Sequence, residues 1–257
     1  MRSAGLALGV AIMLAPSSLD GQSAGSVGGP GAGPTLVSET TLELDDGSVL
    51  RYAISLPSGY DGSDSDRRPL VVALHPGGRS EYYGSSFMQS TVEPALRSWG
   101  AVVIAPDVPD RSWATPRSER ALLTLVRKVL EGHAIDRHRV MVTGFSMGGR
   151  GAWYMAARHP ELFTGAVVMA GSPDDAEVAS FPTTPLYIVQ SPDDEVVAFG
   201  PVEEAYLGLA GRGHPIELRV LPGLGHYQMG AYVPALRVAG EWMLARWRES
   251  EQRGGRQ

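Results

Sequence analysis

The chain has 257 residues, of which 43% are hydrophobic and 19% are charged, and its formal net charge is −6. This length suits one α/β domain with a single large core, and the acidic balance provides no basic surface for nucleic acid. The absence of cysteine excludes disulfides, a thiolate nucleophile, a thiolate metal site and a lipid anchor on cysteine.

The segment before residue 35 predicts export. Arg2 precedes the apolar run Leu6–Ala15, which matches the charged start and short apolar core of a secretory leader and is too short to span a bilayer. We expect a signal peptide over residues 1–21, cleaved within 18–24, and a disordered linker rich in glycine, proline and serine over 22–34. These features predict a secreted or periplasmic protein without a stable membrane anchor.

Strand-like and helix-like segments alternate along the rest of the chain. Eight runs predict β-strands: Thr40–Leu44, Leu50–Leu56, Leu70–Leu74, Val102–Ala105, Val140–Thr143, Ala166–Met169, Leu186–Val189 and Ile216–Val220. Five segments have helical spacing: Val92–Trp99, Glu119–Leu130, Arg150–Arg158, Pro201–Ala210 and Tyr232–Arg248. This alternation predicts right-handed crossovers and an α/β fold with a mostly parallel central sheet and helices on both faces.

The first two predicted strands are joined by the turn residues Asp45–Ser48. Such a turn predicts an antiparallel hairpin at the edge of the parallel sheet. The sequence contains no internal repeat. We therefore expect a single α/β domain over residues 35–249 and a disordered tail over 250–257.

An apolar strand, the pattern Gly-Phe-Ser-Met-Gly and a helical segment follow one another in Val140–Arg158. This is the context of a nucleophile elbow, in which a serine sits on a sharp turn between strand and helix. Glycine at positions 144 and 148 lets the two backbones approach, and the helix presents its positive end to Ser146. Ser146 is the predicted nucleophile, and a glycine-rich connection with an incidental serine is the alternative.

The segment Gly144–Trp153, followed by Ala157–Phe163, resembles secreted esterases of the polyhydroxybutyrate-depolymerase and feruloyl-esterase group of α/β-hydrolases. Prolyl-oligopeptidase-type hydrolases share much of this pattern. The resemblance extends over roughly Pro69 to Trp247 and is specific at the elbow. It implies the α/β-hydrolase fold, with about eight strands and the chain order serine, acid, histidine.

A serine hydroxyl needs a base to take its proton, and the chain has six histidines. Only His214 and His226 lie far enough after Ser146 for the expected order. His214 precedes the last predicted strand, at the wrong end of the sheet, whereas His226 follows that strand in the loop Leu221–His226. His226 is the predicted base, and a surface-loop histidine is the alternative.

The orienting acid should follow the seventh predicted strand, where Asp193, Asp194 and Glu195 compete. Related hydrolases commonly show Gly-x-x-Asp-x-x-Val here. Aligning Ser191 with the glycine and Val197 with the valine selects Asp194 as the residue that holds the imidazole tautomer. Asp193 remains the alternative because serine replaces the glycine, and the other acids are expected to be solvated or to cap their loop.

Two backbone N–H groups should stabilise the oxyanion that forms on attack. Met147, directly after the serine, supplies the first. The second should come from a loop that reads His-Pro-Gly-Gly and resembles the His-Gly-Gly motif of esterases. Because Pro76 has no N–H, Gly77 is the expected donor and Gly78 is the next candidate. His75 is expected to brace this loop rather than to carry a proton.

Four aromatic residues stand on loops expected around the site and are candidate substrate-binding residues: Tyr82, Tyr83, Trp113 and Tyr227. They could stack on an aromatic or sugar-linked acyl group, and packing of each against its own loop is the alternative. Only about fifteen residues separate Met169 from Leu186, where many lipases insert a helical lid. We expect little or no lid, which suits a bulky, polymeric or surface-bound ester.

These residues predict a serine carboxylic-ester hydrolase that forms an acyl-enzyme. A serine peptidase or amidase would use the same residues, but oligopeptidase-type peptidases usually carry an added propeller domain. A noncatalytic binding protein of the same fold predicts decay of the site residues, all of which are present. Neither a His-Glu-x-x-His pair nor a dinucleotide fingerprint occurs, so we expect no metal and no cofactor, and no obligate protein partner is indicated.

Overall fold

The computed structural model describes residues 35–78 and 80–254. The predicted signal peptide and linker lie outside this part of the chain, as do residues 79 and 255–257. The described residues contain eight strands: β1 Leu36–Glu43, β2 Val49–Leu56, β3 Arg68–Leu74, β4 Val102–Pro106, β5 Ile135–Phe145, β6 Gly165–Met169, β7 Leu186–Gln190 and β8 Ile216–Val220. They also contain seven α-helices: α1 Tyr83–Phe87, α2 Glu93–Leu96, α3 Pro116–Gly132, α4 Met147–Arg158, α5 Asp175–Ala179, α6 Phe199–Gly211 and α7 Val233–Gly254. Shorter 3₁₀ or π turns lie at Asp64–Asp66, Met88–Val92, Arg97–Trp99 and Met229–Tyr232.

The strands form one sheet in the order β1-β2-β4-β3-β5-β6-β7-β8. β1 and β2 form an antiparallel hairpin, β2 is also antiparallel to β4, and every later pair is parallel. This topology confirms the predicted mostly parallel sheet with an antiparallel hairpin at its N-terminal edge.

Both faces of the sheet are buried. In β3, Leu70, Val72 and Leu74 join one hydrophobic cluster, with α3, α4 and α6, whereas Val71 and Ala73 join the other, with α1, α2 and α7. Helices on both faces explain why the inner strands are continuously apolar rather than alternating. Each fully buried leucine or valine of this kind stabilises the fold by about 1.5–3 kcal/mol.

The carboxyl ends of the parallel strands meet at one edge of the sheet. β3 and β5 are neighbours, with Leu74 opposite Gly144. The loops that follow β3, β5, β7 and β8 therefore emerge on the same side, as in other parallel α/β sheets with a site at this edge.

The last helix is longer than predicted. α7 runs through Gly254, and Arg139 near the start of β5 pairs with Glu251 at 2.7 Å. The prediction of a disordered tail is therefore wrong for residues 250–254. The side chains of residues 250–253 are polar and exposed, so the sequence has no apolar pattern that would predict a helix. None of the helices in the described part of the chain has the length and apolar character that a bilayer span requires.

Two further helical segments differ from the sequence prediction. The segment expected to begin at Val92 begins at Tyr83, because α1, a π turn and α2 follow one another without a break. The second difference is α5, which was not predicted and is capped by Asp174 and Glu177 in a reciprocal capping box. α5 has five residues and is the only helix between β6 and β7, so the connection is as small as expected.

Candidate active site

Ser146 occupies the turn between β5 and α4. Its backbone has φ 54° and ψ −116°, a conformation that costs a residue with a side chain about 1–3 kcal/mol. The turn is held because the Ser146 N–H donates to the Met169 carbonyl at 3.0 Å and the Arg150 N–H donates to the Ser146 carbonyl at 2.9 Å. The strained turn projects the hydroxyl beyond the edge of the sheet.

Glycines let α4 pack directly against the backbone of β3. A Cβ on Gly148 would overlap the Leu74 carbonyl, and a Cβ on Gly144 would overlap the backbone of Gly148. These close approaches bring the start of α4 beside the loop that leaves β3. The two segments predicted to donate the oxyanion hydrogen bonds, at Met147 and Gly77, are therefore neighbours.

Ser146, His226 and Asp194 form a continuous hydrogen-bonded chain. The imidazole Nε2 of His226 lies 2.7 Å from Ser146 Oγ, and its Nδ1 lies 2.8 Å from Asp194 Oδ2 and 3.0 Å from Oδ1. His226 and Asp194 are 5% and 8% exposed. Since a carboxylate can only accept, Nδ1 carries the proton and Nε2 is left to accept the serine proton.

Asp194 is held by its own loop as well as by the histidine. Its Oδ1 accepts hydrogen bonds from the N–H groups of Val196 and Val197 at 2.9 and 2.8 Å. Burial raises the pKa of the Asp194 carboxyl, but the bonds from the Val197 amide, the imidazole and the Val196 amide lower it below its ordinary value overall. The carboxyl is therefore ionised at neutral pH.

The neighbouring acids bind main chain instead of the imidazole. Asp193 Oδ2 accepts from the Gly223 N–H at 2.6 Å, and Glu195 Oε2 accepts from the His226 N–H at 2.9 Å. Of the three acids that competed in the sequence, Asp194 is the one bonded to the ring. The expectation that the other two are solvated or cap their own loop missed that both bond to the loop carrying the histidine.

Aromatic rings surround the imidazole. The ring centroids of Phe145 and Tyr227 lie 5.3 and 5.5 Å from that of His226. Tyr232 packs edge-on against Phe145 and is fully buried. Burial raises the pKa of the Tyr232 hydroxyl to about 12, and the nearby carboxylates add to the rise, so this hydroxyl stays protonated.

The loop after β3 is braced by His75. Its Nδ1 lies 2.6 Å from the Pro76 carbonyl, and its Nε2 accepts from the Val108 N–H at 3.0 Å. The tautomer is therefore Nδ1–H, and burial lowers the pKa of this imidazole, which keeps it neutral. His75 has the bracing contacts expected from the sequence.

The predicted oxyanion donors, Met147 and Gly77, lie at the start of α4 and in the loop after β3. Met147 is the first residue of α4, where backbone N–H groups have no partner within the helix and the helix dipole is positive. Gly77 is exposed directly after Pro76. A Cβ on Gly78 would overlap the ring of Tyr83, so a residue with a side chain here would have to displace that ring.

Trp113 is not placed to bind a substrate. Its side chain is 0% exposed, and its Nε1 donates to the His75 carbonyl at 2.9 Å. A Cβ on Gly151 would overlap the Cβ of Trp113, so the indole packs tightly against α4. The prediction of substrate contact by Trp113 is wrong because the indole is buried and bonds to the loop after β3.

The three tyrosines differ in exposure. Tyr227 is 83% exposed beside the imidazole. Tyr83 is half-buried, with its ring 4.8 Å from that of His75, and Tyr82 is half-buried in a left-handed conformation with φ 51°. Tyr227 is thus the most accessible of the aromatic residues that the sequence singled out.

Asp107 is a site residue that the sequence reasoning missed. It directly follows β4, is buried, and accepts from the N–H groups of Tyr82 and Gly84 at 2.8 and 3.0 Å. Arg51 Nε also donates to it at 3.3 Å. An acid directly after a buried strand at the carboxyl edge of the sheet was the signal that could have identified it.

A polar cavity of about 320 Å³ opens beside the braced loop. Its walls contain His75 and Gly78 from that loop, Arg51 from β2, and Asp107 and Arg111 from the loop after β4. Among residues 35–78 and 80–254, no group of three or more histidine, aspartate or glutamate side chains is arranged to hold a metal ion.

Several known proteins are similar to this chain. Residues 112–229 match the dienelactone hydrolase family. Feruloyl esterase D of Neurospora crassa is 27% identical over 163 residues, which cover 56% of this chain and 53% of that protein. The crystal structure of a thermostable esterase has a TM-score of 0.71 at 25% identity, covering 81% of this chain and 62% of that one. A ferulic acid esterase has a TM-score of 0.62 at 18% identity, covering 81% of this chain and 99% of that one.

The matched stretch spans about half the length of the Neurospora protein. The dienelactone hydrolase match contains the elbow serine, the three acids and His226. The sheet is mostly parallel, has eight strands and has the antiparallel N-terminal hairpin that the sequence predicts. Together with the structural matches, these features show that the chain has the α/β-hydrolase fold.

Proposed function

We propose that this protein is a serine carboxylic-ester hydrolase in which Ser146 is the nucleophile, His226 the base and Asp194 the orienting acid. The observation that carries the proposal is the hydrogen-bonded chain from Ser146 Oγ through the imidazole to the buried carboxylate, with contacts of 2.7 and 2.8 Å. Nucleophile, base and orienting group within hydrogen-bond reach are the arrangement that acyl transfer requires.

In the proposed reaction, His226 Nε2 takes the proton of Ser146 Oγ as the oxygen attacks the ester carbonyl carbon. The resulting oxyanion accepts hydrogen bonds from the N–H groups of Met147 and Gly77, each worth about 3 kcal/mol to the transition state. The imidazolium then protonates the departing alcohol, leaving an acyl-serine. His226 next removes a proton from water as the water oxygen attacks the acyl carbon. When the bond between Ser146 Oγ and the acyl carbon breaks, the imidazolium returns the proton to Oγ, and the carboxylic acid is released.

The proposed substrate is a bulky or aromatic ester, including one linked to a polymer. The short connection between β6 and β7 and the exposed ring of Tyr227 support an open site that a large ester could reach. The names of feruloyl esterase D and of the ferulic acid esterase point to aromatic acyl groups in similar proteins.

The test is a substrate panel with p-nitrophenyl butyrate, methyl ferulate, acetylated xylan, a polyester film and peptide amides. Ser146→Ala should remove ester hydrolysis, whereas Ser250→Ala, an exposed serine near the end of α7, should retain it. A fluorophosphonate should add one covalent label to the wild type and none to Ser146→Ala, as mass spectrometry would show. Full activity in Ser146→Ala would overturn the proposal, and cleavage of amides without esters would favour the peptidase or amidase alternative.

We also propose that the protein is exported by its predicted leader. Residues 1–34 fused to leaderless alkaline phosphatase should direct active phosphatase to the bacterial periplasm, because the apolar run Leu6–Ala15 resembles a secretory core. Leu8→Arg within that run should retain the fusion inside the cell. Periplasmic activity that does not depend on the apolar run would overturn this part of the proposal.

A further inference from the structure

Three consecutive acids bond to one loop. We call residues 221–227 the histidine loop and residues 191–197 the acid loop. Asp193 accepts from the Gly223 N–H, Asp194 accepts from the imidazole of His226, and Glu195 accepts from the His226 N–H. The acid loop therefore holds the histidine loop at three points: the N–H of Gly223, the imidazole of His226 and the N–H of His226.

Besides its bonds to the acid loop, the histidine loop is supported by Leu221 and Leu224, which pack against the core, and by the Gly225 N–H, which donates to Gln228 Oε1 at 2.7 Å. It follows β8, the edge strand of the sheet, which pairs with β7 alone. Pro222, Gly223 and Tyr227 are exposed, and Gly223 has a φ of 79°. The main-chain bond from the Leu221 N–H to the Gln190 carbonyl secures the start of the loop, and the bond from the Gln228 N–H to the Gly225 carbonyl lies within the loop and its continuation. A loop of this kind at a sheet edge opens readily unless side chains restrain it.

The Glu195 bond acts at the histidine itself. Anchoring the His226 N–H at 2.9 Å sets the position of its Cα, while Asp194 sets the rotation of the ring. With both restraints, the Nε2 atom has little freedom to leave Ser146 Oγ. The residue at position 225 is glycine, and a Cβ there would lie 3.1 Å from Glu195 Oε2, so a side chain would crowd the carboxylate.

We propose that Glu195, assisted by Asp193, is a positioning residue that holds the histidine loop so that His226 Nε2 stays within hydrogen-bond distance of Ser146 Oγ. This inference rests on the proposed function of the same serine and histidine. The His226 N–H lowers the pKa of the Glu195 carboxyl below its ordinary value despite the adjacent charge of Asp194, so Glu195 is ionised at neutral pH. The favourable bond to the amide explains why an acid is compatible with two acidic neighbours.

The experiment compares Glu195→Ala with Glu195→Gln. Alanine removes the acceptor and should lower kcat about tenfold with KM changed less than about twofold, because the loss affects the geometry of proton transfer and not the binding of substrate. Glutamine keeps an oxygen for the His226 N–H and should recover kcat to within about threefold of the wild type. Glu204→Ala, an exposed acid on α6, is the matched control and should leave both parameters unchanged.

Asp193 is tested in the same way. Asp193→Ala should lower kcat several-fold, and the double Asp193→Ala, Glu195→Ala variant should lose more than either single variant. Unchanged kcat in Glu195→Ala, an effect on KM alone, or a glutamine variant as slow as the alanine variant would each overturn the inference.

A measurement without substrate separates this inference from the proposed function. The hydrogen-bonded Nδ1–H of His226 should give a low-field proton NMR signal that disappears in His226→Gln. In Glu195→Ala this signal should broaden through faster exchange with water, and in Glu195→Gln it should remain sharp. If the wild type hydrolyses no ester, the proposed function fails while the NMR comparison still decides the role of Glu195.

Discussion

Replacing Asp194 with asparagine should reverse the tautomer of His226. Asp194 Oδ1 accepts hydrogen bonds from two backbone amides, at 2.9 and 2.8 Å, so an asparagine must keep its oxygen in that position. Its NH₂ group then takes the place of Oδ2, which lies 2.8 Å from the imidazole Nδ1. An NH₂ group donates, so Nδ1 must become the acceptor and the ring proton must move to Nε2.

The consequence for catalysis is large because Nε2 faces Ser146 Oγ at 2.7 Å. A protonated Nε2 cannot accept the serine proton, so attack begins from a hydroxyl without its base. The wrong tautomer of a catalytic histidine lowers kcat by about 10⁴-fold, and at about 1.36 kcal/mol per tenfold this corresponds to about 5 kcal/mol. KM should change little, since no group that binds substrate is altered.

The assay is steady-state hydrolysis of p-nitrophenyl butyrate by Asp194→Asn and, as its control, Asp193→Asn. Asp193 bonds to the Gly223 N–H, and an asparagine there keeps an oxygen acceptor, so its kcat should stay within about threefold of the wild type. Circular dichroism checks that both variants are folded. A 10³-fold loss in Asp193→Asn with a nearly active Asp194→Asn would show that the wrong acid had been assigned.

Three further predictions concern stability. Ser146→Gly should unfold at higher urea concentration than Ser146→Ala, with a free energy of unfolding about 1 kcal/mol larger, because glycine tolerates the φ of 54°; equal stabilities would contradict backbone strain at the elbow. Gly148→Ala should lower the free energy of unfolding by about 2 kcal/mol, because the added Cβ overlaps a carbonyl of β3. Gly200→Ala, which has open space around its Cβ, is the control and should change the free energy of unfolding by less than about 1 kcal/mol in the same titration. Burial raises the pKa of Glu119, but hydrogen bonds from three side chains lower it overall, so its contribution to stability is present above pH 4.5 and is lost as the pH falls. The melting temperature of Glu119→Gln should therefore fall less steeply below about pH 4.5 than that of the wild type, and parallel curves would refute this.

The sheet could be predicted because most of its strands have a clear sequence pattern. Strands covered by helices on both faces are short apolar runs, and seven of the eight predicted runs agree with the observed strands to within four residues at each end. The fifth differs most, because β5 begins at Ile135, five residues before the predicted Val140, in a polar stretch. The exposed end of a helix is missed for the same reason: the last turn of α7 is polar and has no apolar pattern.

The candidate site was only partly predictable. Residue types and their order along the chain predict Ser146 and His226, because each follows a strand and has the chemistry that acyl transfer needs. The pattern of related hydrolases favours Asp194 over Asp193. The position of Asp107 after a buried strand could have marked it as a site residue, but its bonding partners and the burial of Trp113 could not be predicted, since both depend on which side of a loop a side chain turns toward. That choice is made by contacts between distant segments, such as the bond from Trp113 to the His75 carbonyl.

The supports of the site lie largely in the main chain. Ser146 needs a backbone conformation that favours glycine, Gly148 is needed because a carbonyl of β3 occupies the space of a Cβ, and Glu195 acts by binding a backbone N–H. A sequence motif contains the reactive side chains, but it does not show the main-chain conformation and contacts that hold them in place. Variants at such positions should therefore change turnover or stability while every reactive atom is kept, and the comparison of Glu195→Ala with Glu195→Gln isolates one of them at the histidine.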